Sequence, residues 1–111
     1  MKMIVAIVQD EDSGRLVSAL MDKGFGVTKL STTGGFLRAG NSTLISGVED
    51  ERLDEALAVI EKVCKSREQI TASTTPMGSS AAGGVYVPYP IRVTVGGATI
   101  FVLEVSQFLK V

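Results

Sequence analysis

Met3-Ile4-Val5-Ala6-Ile7-Val8 is an unbroken run of apolar residues near the start of the chain. Successive side chains of a strand point to opposite faces, so a strand built from this run is apolar on both and has to be covered on both. Two amphipathic segments can supply one cover. Asp12 or Ser13 can cap a helix in which Leu16, Val17, Leu20 and Met21 share a face, and Gly24 can end it in a left-handed turn. Asp50-Glu51 opens a second helix at its dipole-favoured end. Leu53, Ala56, Leu57, Ile60, Val63 and Cys64 form its apolar stripe, and Lys62, Lys65 and Arg67 close it.

The remaining strand signals are Phe25–Thr32, Thr43–Val48, Ile91–Val95 and Ala98–Val105, the last two joined by Gly96-Gly97 in the pattern of a two-residue hairpin turn. The order is β-α-β-β-α-β plus an extra C-terminal strand, an α+β, ferredoxin-like arrangement in a single domain spanning residues 1–111. Helices cover one face of such a sheet. The other would expose apolar surface, so self-association is expected, without a subunit number. Ser66 to Pro88 has little periodicity; so long a stretch is a lid, a binding loop or a disordered segment.

Composition removes several classes of partner. The formal charge is −1, so there is no basic stripe for a nucleic acid polymer. Cys64 is the single cysteine, which rules out an intrachain disulfide and suits a reducing compartment. No apolar run approaches a membrane span and the N-terminus is too short for a signal peptide, so a cytoplasmic protein without membrane insertion is expected.

Chemistry is sparse. The chain has no histidine, the usual near-neutral acid–base group and the commonest metal ligand. Cys64 lies on the helix stripe as a buried, inert thiol. Asp10, Glu11 and Asp12 are explained by capping and solvation. No Walker loop and no G-x-G-x-x-G follows a strand. A binding protein is favoured over an enzyme, and no cofactor or metal is expected. The candidate ligand loop is Thr32-Thr33-Gly34-Gly35-Phe36-Leu37-Arg38-Ala39-Gly40-Asn41. Its glycines let backbone N–H groups approach a ligand, Phe36 offers a stacking face, and the Asn41 amide can donate and accept at once against an adenine edge. The alternative is a glycine-rich hairpin loop whose phenylalanine plugs the core.

That block, with Val8-Gln9-Asp10, Thr28-Lys29-Leu30, Thr75-Pro76-Met77-Gly78, Tyr86-Val87-Pro88-Tyr89-Pro90 and Val95-Gly96-Gly97-Ala98-Thr99, resembles the PII-like cyclic di-AMP receptor family over nearly the full length. The resemblance implies a homotrimer in the cytoplasm of a bacterium, a Gram-positive one being expected, with one cyclic di-AMP in each cleft between subunits and an unidentified downstream protein partner. It places Thr28 near a phosphate, Asn41 on an adenine edge, Phe36 and Leu37 against a base, and the backbones of Gly35 and Gly47 beside the ligand. Phe101 would add an apolar wall, although alternation with Thr99 and Leu103 also fits a core residue. The chain departs from the family pattern at Gly26, where an arginine is usual, and in its tail Phe108-Leu109-Lys110-Val111, where a glutamine is usual. Both departures bear on affinity and nucleotide choice. The alternatives are a PII-like binder of AMP, ADP or ATP, and a trimeric metal-tolerance-like protein, against which the missing histidines argue.

Overall fold

The computed structural model describes residues 1–30, 40–76 and 86–111. The elements run β1 (Lys2–Gln9), α1 (Asp10–Asp22), β2 (Thr28–Leu30), β3 (Asn41–Val48), a short 3-10 turn (Asp50–Arg52), α2 (Leu53–Cys64), β4 (Arg67–Pro76), β5 (Tyr86–Val95) and β6 (Ala98–Glu104). One antiparallel sheet has the order β2-β3-β1-β6; β4 and β5 form a second, two-stranded sheet. An antiparallel sheet with two helices, in this strand order, is consistent with a ferredoxin-like fold.

β1 sits between β3 and β6, and within the described residues the helices cover one of its two apolar faces. Ile4, Ala6 and Val8 turn toward the helices and are buried with Leu44 and Val48 of β3, Leu16 and Leu20 of α1, and Ala56, Ile60 and Cys64 of α2. Phe25 completes this core, and the Arg52 guanidinium stacks on its ring 4.1 Å from the centroid.

Several expected boundaries shift for identifiable reasons. Helix α1 starts at Asp10, not at Asp12 or Ser13, because the Asp10 N–H is taken up by the Gly40 carbonyl at 2.7 Å. Asp12 thereby falls inside the first turn and is buried. Met21 leaves the apolar stripe and is 60% exposed. Gly24 ends the helix with φ +87°, as expected. Only Thr28–Leu30 of the expected Phe25–Thr32 strand is ladder within the described residues: Phe25 turns into the core, and the Gly26 carbonyl accepts the Ser46 hydroxyl at 2.7 Å. Helix α2 stops at Cys64, so Lys65 and Arg67 lie beyond it, and Arg67 opens β4.

The larger corrections concern the C-terminal third. The aperiodic stretch from Ser66 to Pro88 contains most of a hairpin, with β4 and β5 in unbroken register from Arg67↔Val95 to Pro76↔Tyr86. Residues 77–85 lie outside the described residues. Periodicity is missing because no layer covers this ribbon at its root: Glu68, Gln69 and Ile70 are all exposed, so no buried face imposes alternation. The threonines and valines of both segments still favour extended backbone. Pro88 and Pro90 are tolerated because each strand of a two-stranded ribbon has a free edge.

Gly96-Gly97 is not a hairpin turn between strands of one sheet. It is the corner at which the chain leaves β5 and enters β6 in the other sheet. Consequently the strand beyond the β-α-β-β-α-β pattern is not C-terminal. The extra strands are the β4–β5 arm, inserted between α2 and the final strand. For 111 residues a compact domain has a radius of gyration of about 13 Å, whereas this chain has 19.2 Å and extents of 66 × 29 × 20 Å, as a projecting arm requires.

Candidate functional site

The sheet face opposite the helices is built in rows. Thr28 lies across from Ile45, Ile45 from Val5, and Val5 from Phe101. The next row holds Gly47, Met3 and Leu103, and a row on the other side holds Leu30, Thr43, Ile7 and Thr99. At the far end Asn41 is paired with Gln9. Thr28, Asn41, Gly47 and Phe101 therefore share one face, which resolves the alternative for Phe101: it is 54% exposed, on the open side, and not in the core. Gly35, Phe36 and Leu37 lie outside the described residues.

The sheet brings some of these residues together and holds others apart. Asn41 and Gly47 are at opposite ends of β3, roughly 20 Å apart along the strand. Thr28 on β2 and Phe101 on β6 occupy opposite edges, three interstrand spacings or about 14 Å apart. A single chain thus does not close one pocket around all four. β6 exposes Ile100, Phe101, Val102 and Leu103, and the tail exposes Phe108, Leu109 and Val111, which is the apolar surface anticipated for an uncovered face and edge.

Two cavities adjoin the Asn41 end. One, of about 360 Å³, is lined by Ile7, Gln9, Asn41, Gly96, Gly97 and Thr99 among others. The second, of about 390 Å³, is lined by Gln9, Asp10, Glu11, Gly40 and Asn41. In the sequence Gln9 stands in the Val8-Gln9-Asp10 block of the family likeness, where it was given no role of its own. Its side-chain oxygen accepts the Gly96 N–H at 2.8 Å, while the Gly97 N–H bonds to the Cys64 carbonyl. The corner is thereby tied both to the end of β1 and to the end of α2.

An ion cluster around one buried carboxylate lies behind this corner. The Asp12 carboxylate is fully buried and receives Arg67 Nη2 at 2.9 Å, Arg67 Nη1 at 3.4 Å and Arg15 Nη2 at 2.5 Å. Hydrogen bonding from Arg67, opposed by burial and aided by Arg15, holds its carboxyl below the usual aspartate range. Capping and solvation explain neither this burial nor this pairing. Asp12 fastens the root of the β4–β5 arm to α1. Asp10 plays a different part, its carboxylate accepting the Ser42 hydroxyl. Cys64 is buried, and burial pushes its thiol up to about 11, so it is a thiol and not a thiolate nucleophile at neutral pH. Among the described residues no helix is long and apolar enough to cross a membrane.

Comparison with known families decides what the chain belongs to. The profile of the family described as cyclic-di-AMP receptor matches residues 1–111. The chain belongs to the cyclic-di-AMP receptor family. A solved structure described as that of a functionally unknown protein from Pediococcus pentosaceus ATCC 25745 is similar to it at 44% identity, with a TM-score of 0.76. That match covers 99% of this chain and 96% of the other. Membership gives the chain a ligand class, and receptor families point to a binder without turnover.

Proposed function

We propose that the protein is a homotrimeric cytoplasmic receptor that binds cyclic di-AMP in the clefts between neighbouring subunits, and that occupancy changes loop arrangement so as to signal to a partner protein. The observation that carries this reading is the separation of Thr28 and Phe101 on opposite edges of one sheet face. Two halves of a site at opposite edges meet only when the β6 edge of one copy stands beside the β2 edge of the next. A ring of copies achieves that and also covers the apolar open face. Thr28 would then face a phosphate, Asn41 an adenine edge, and Phe101 a base from the neighbouring copy. Gly47 has room for its backbone to approach a ligand, since the atom nearest to an added Cβ is Met1 Sδ at 3.9 Å. Gly35, Phe36 and Leu37 are assigned to the same site from the family likeness.

Calorimetry against cyclic di-AMP, cyclic di-GMP, AMP and ATP, with light scattering after size exclusion, tests this reading. Cyclic di-AMP should bind to a trimer and exceed cyclic di-GMP by roughly 1–3 kcal/mol, because guanine replaces the adenine amino donor with a carbonyl and spoils a bidentate amide contact. Equal affinity for the two dinucleotides would remove the proposed role of Asn41. A monomer at micromolar concentration would remove the cleft. Tighter binding of a mononucleotide would replace the ligand.

Phe36→Ala should weaken cyclic di-AMP binding by about 1–3 kcal/mol while the trimer persists, the range for loss of a base–aromatic stack. Aggregation or unfolding of that variant would instead identify Phe36 as a core plug.

A further inference from the structure

We infer, on the cyclic di-AMP reading above, that Gln9 is a second amide of the ligand site, a donor that holds a purine ring nitrogen beside Asn41. Gln9 and Asn41 are directly opposed across β1 and β3, so their carboxamides leave the same side of the sheet with Cβ atoms about 5 Å apart. Both residues line each of the two cavities at that end.

The amide's orientation is fixed by chemistry. A backbone N–H can donate only to the carboxamide oxygen, and the Gly96 N–H donates to Gln9 at 2.8 Å. The nitrogen is left to face other groups, so Gln9 offers a ligand N–H donors, whereas Asn41 can both donate and accept. Gly96 is itself held: a Cβ there would lie 2.6 Å from Arg67 Nη1 and 2.7 Å from the Lys65 carbonyl oxygen.

Charge selects the acceptor. Asp10, Glu11 and Asp12 follow Gln9 in the first turn of α1, and Asp10 and Glu11 line one of the cavities. A phosphate in that cavity would stand beside the Asp10 and Glu11 carboxylates, Asp12 being paired with Arg67 and Arg15. A neutral ring nitrogen meets no such repulsion. Adenine and guanine share ring-nitrogen acceptors and differ in their exocyclic groups. Gln9 accordingly sets how tightly a purine is held, and Asn41 sets which purine.

Calorimetry of wild type, Gln9→Leu, Gln9→Glu and Asn41→Leu against cyclic di-AMP and cyclic di-GMP separates these roles. Gln9→Leu removes the amide without adding charge. Gln9→Glu keeps an oxygen for Gly96 but cannot donate at neutral pH. Both should bind cyclic di-AMP at least three- to tenfold more weakly, the span of one ordinary hydrogen bond. The ratio between the dinucleotides should stay within about twofold in both Gln9 variants, whereas Asn41→Leu narrows it. Unchanged affinity in Gln9→Leu overturns the proposal even if Gln9→Glu binds weakly, since charge alone then explains the loss. A collapsed ratio in the Gln9 variants also overturns it. Should Gln9→Leu fail to fold, Gln9→Glu is titrated from about 0.05 to 0.5 M salt: a loss that persists is the missing donor, and a loss that is screened away is repulsion. Wild type that binds neither dinucleotide removes the cyclic di-AMP reading itself, an outcome distinct from wild-type binding that the Gln9 variants leave untouched.

Discussion

Gly96→Ala is expected to lower the stability of the folded chain by about 3–4 kcal/mol, while Gly97→Ala lowers it by about 1–2 kcal/mol. Both glycines have positive φ, +84° and +90°, so each substitution incurs the left-handed penalty of a side-chain-bearing residue. They differ in surroundings. An added Cβ at Gly97 meets nothing within 4 Å, whereas at Gly96 it would lie 2.7 Å and 3.1 Å from the carbonyl oxygens of Lys65 and Cys64. Those oxygens are backbone atoms of the last residue of α2 and of the residue after it, and cannot swing aside like the tip of a side chain. Relief would break the Gly97–Cys64 and Gln9–Gly96 hydrogen bonds that hold the corner. Urea unfolding of the two variants at one protomer concentration checks the contrast, because association shifts apparent stability. Equal losses would mean that the corner relaxes around the extra methyl.

Asp12→Ala should cost about 2–3 kcal/mol, the scale of charge-assisted hydrogen bonds lost from one carboxylate to two arginines that keep partial access to water. Arg67→Ala should cost less, since Arg15 still neutralises the buried charge. The pH dependence has a definite sign. With its carboxyl lower in the folded than in the unfolded chain, Asp12 binds fewer protons when folded. Its contribution is complete above the ordinary aspartate pKa of 3.8 and disappears as pH falls through the lower, folded value. Wild type should therefore lose stability more steeply than Asp12→Asn on acidification below about pH 4. Chemical denaturation at matched ionic strength from neutral pH downward measures it; parallel curves would remove Asp12 as a source of the acid sensitivity.

The parts of the fold that were legible in the sequence are those where burial leaves a periodic mark. Met3–Val8 announced a central strand, of whose two apolar faces the helices cover one, and the α2 stripe of Ala56, Ile60 and Cys64 is buried as its spacing required. The arm left no such mark, because Glu68, Gln69 and Ile70 at its root face water. Gly96-Gly97 has the composition of a tight hairpin, and both residues do take positive φ. Which strand β6 joins was decided elsewhere, by the unfilled side of β1. At the candidate site, side-chain chemistry pointed to Asn41, and family likeness added Thr28, Gly47 and Phe101. Their common face, and the distance between its two edges, follow from strand register, which no local pattern contains. Asp12 was legible as a helix-start residue and not as the anchor of Arg67, since its partner lies 55 positions away.

The β4–β5 arm has a mechanical consequence. Among the described residues it pairs with no strand of the main sheet, and it is fastened at its root through Arg67 to Asp12 and through Gly96 to Gln9. Such a ribbon is a cantilever. Ten residues of strand reach about 33 Å, so a rotation of only about 10° at the root carries the far end through roughly 6 Å. A displacement at Gln9 too small to disturb the four-stranded sheet would thus be enlarged at Pro76 and Tyr86. On the proposed receptor reading, a partner protein that senses the far end of the arm needs no contact with the nucleotide.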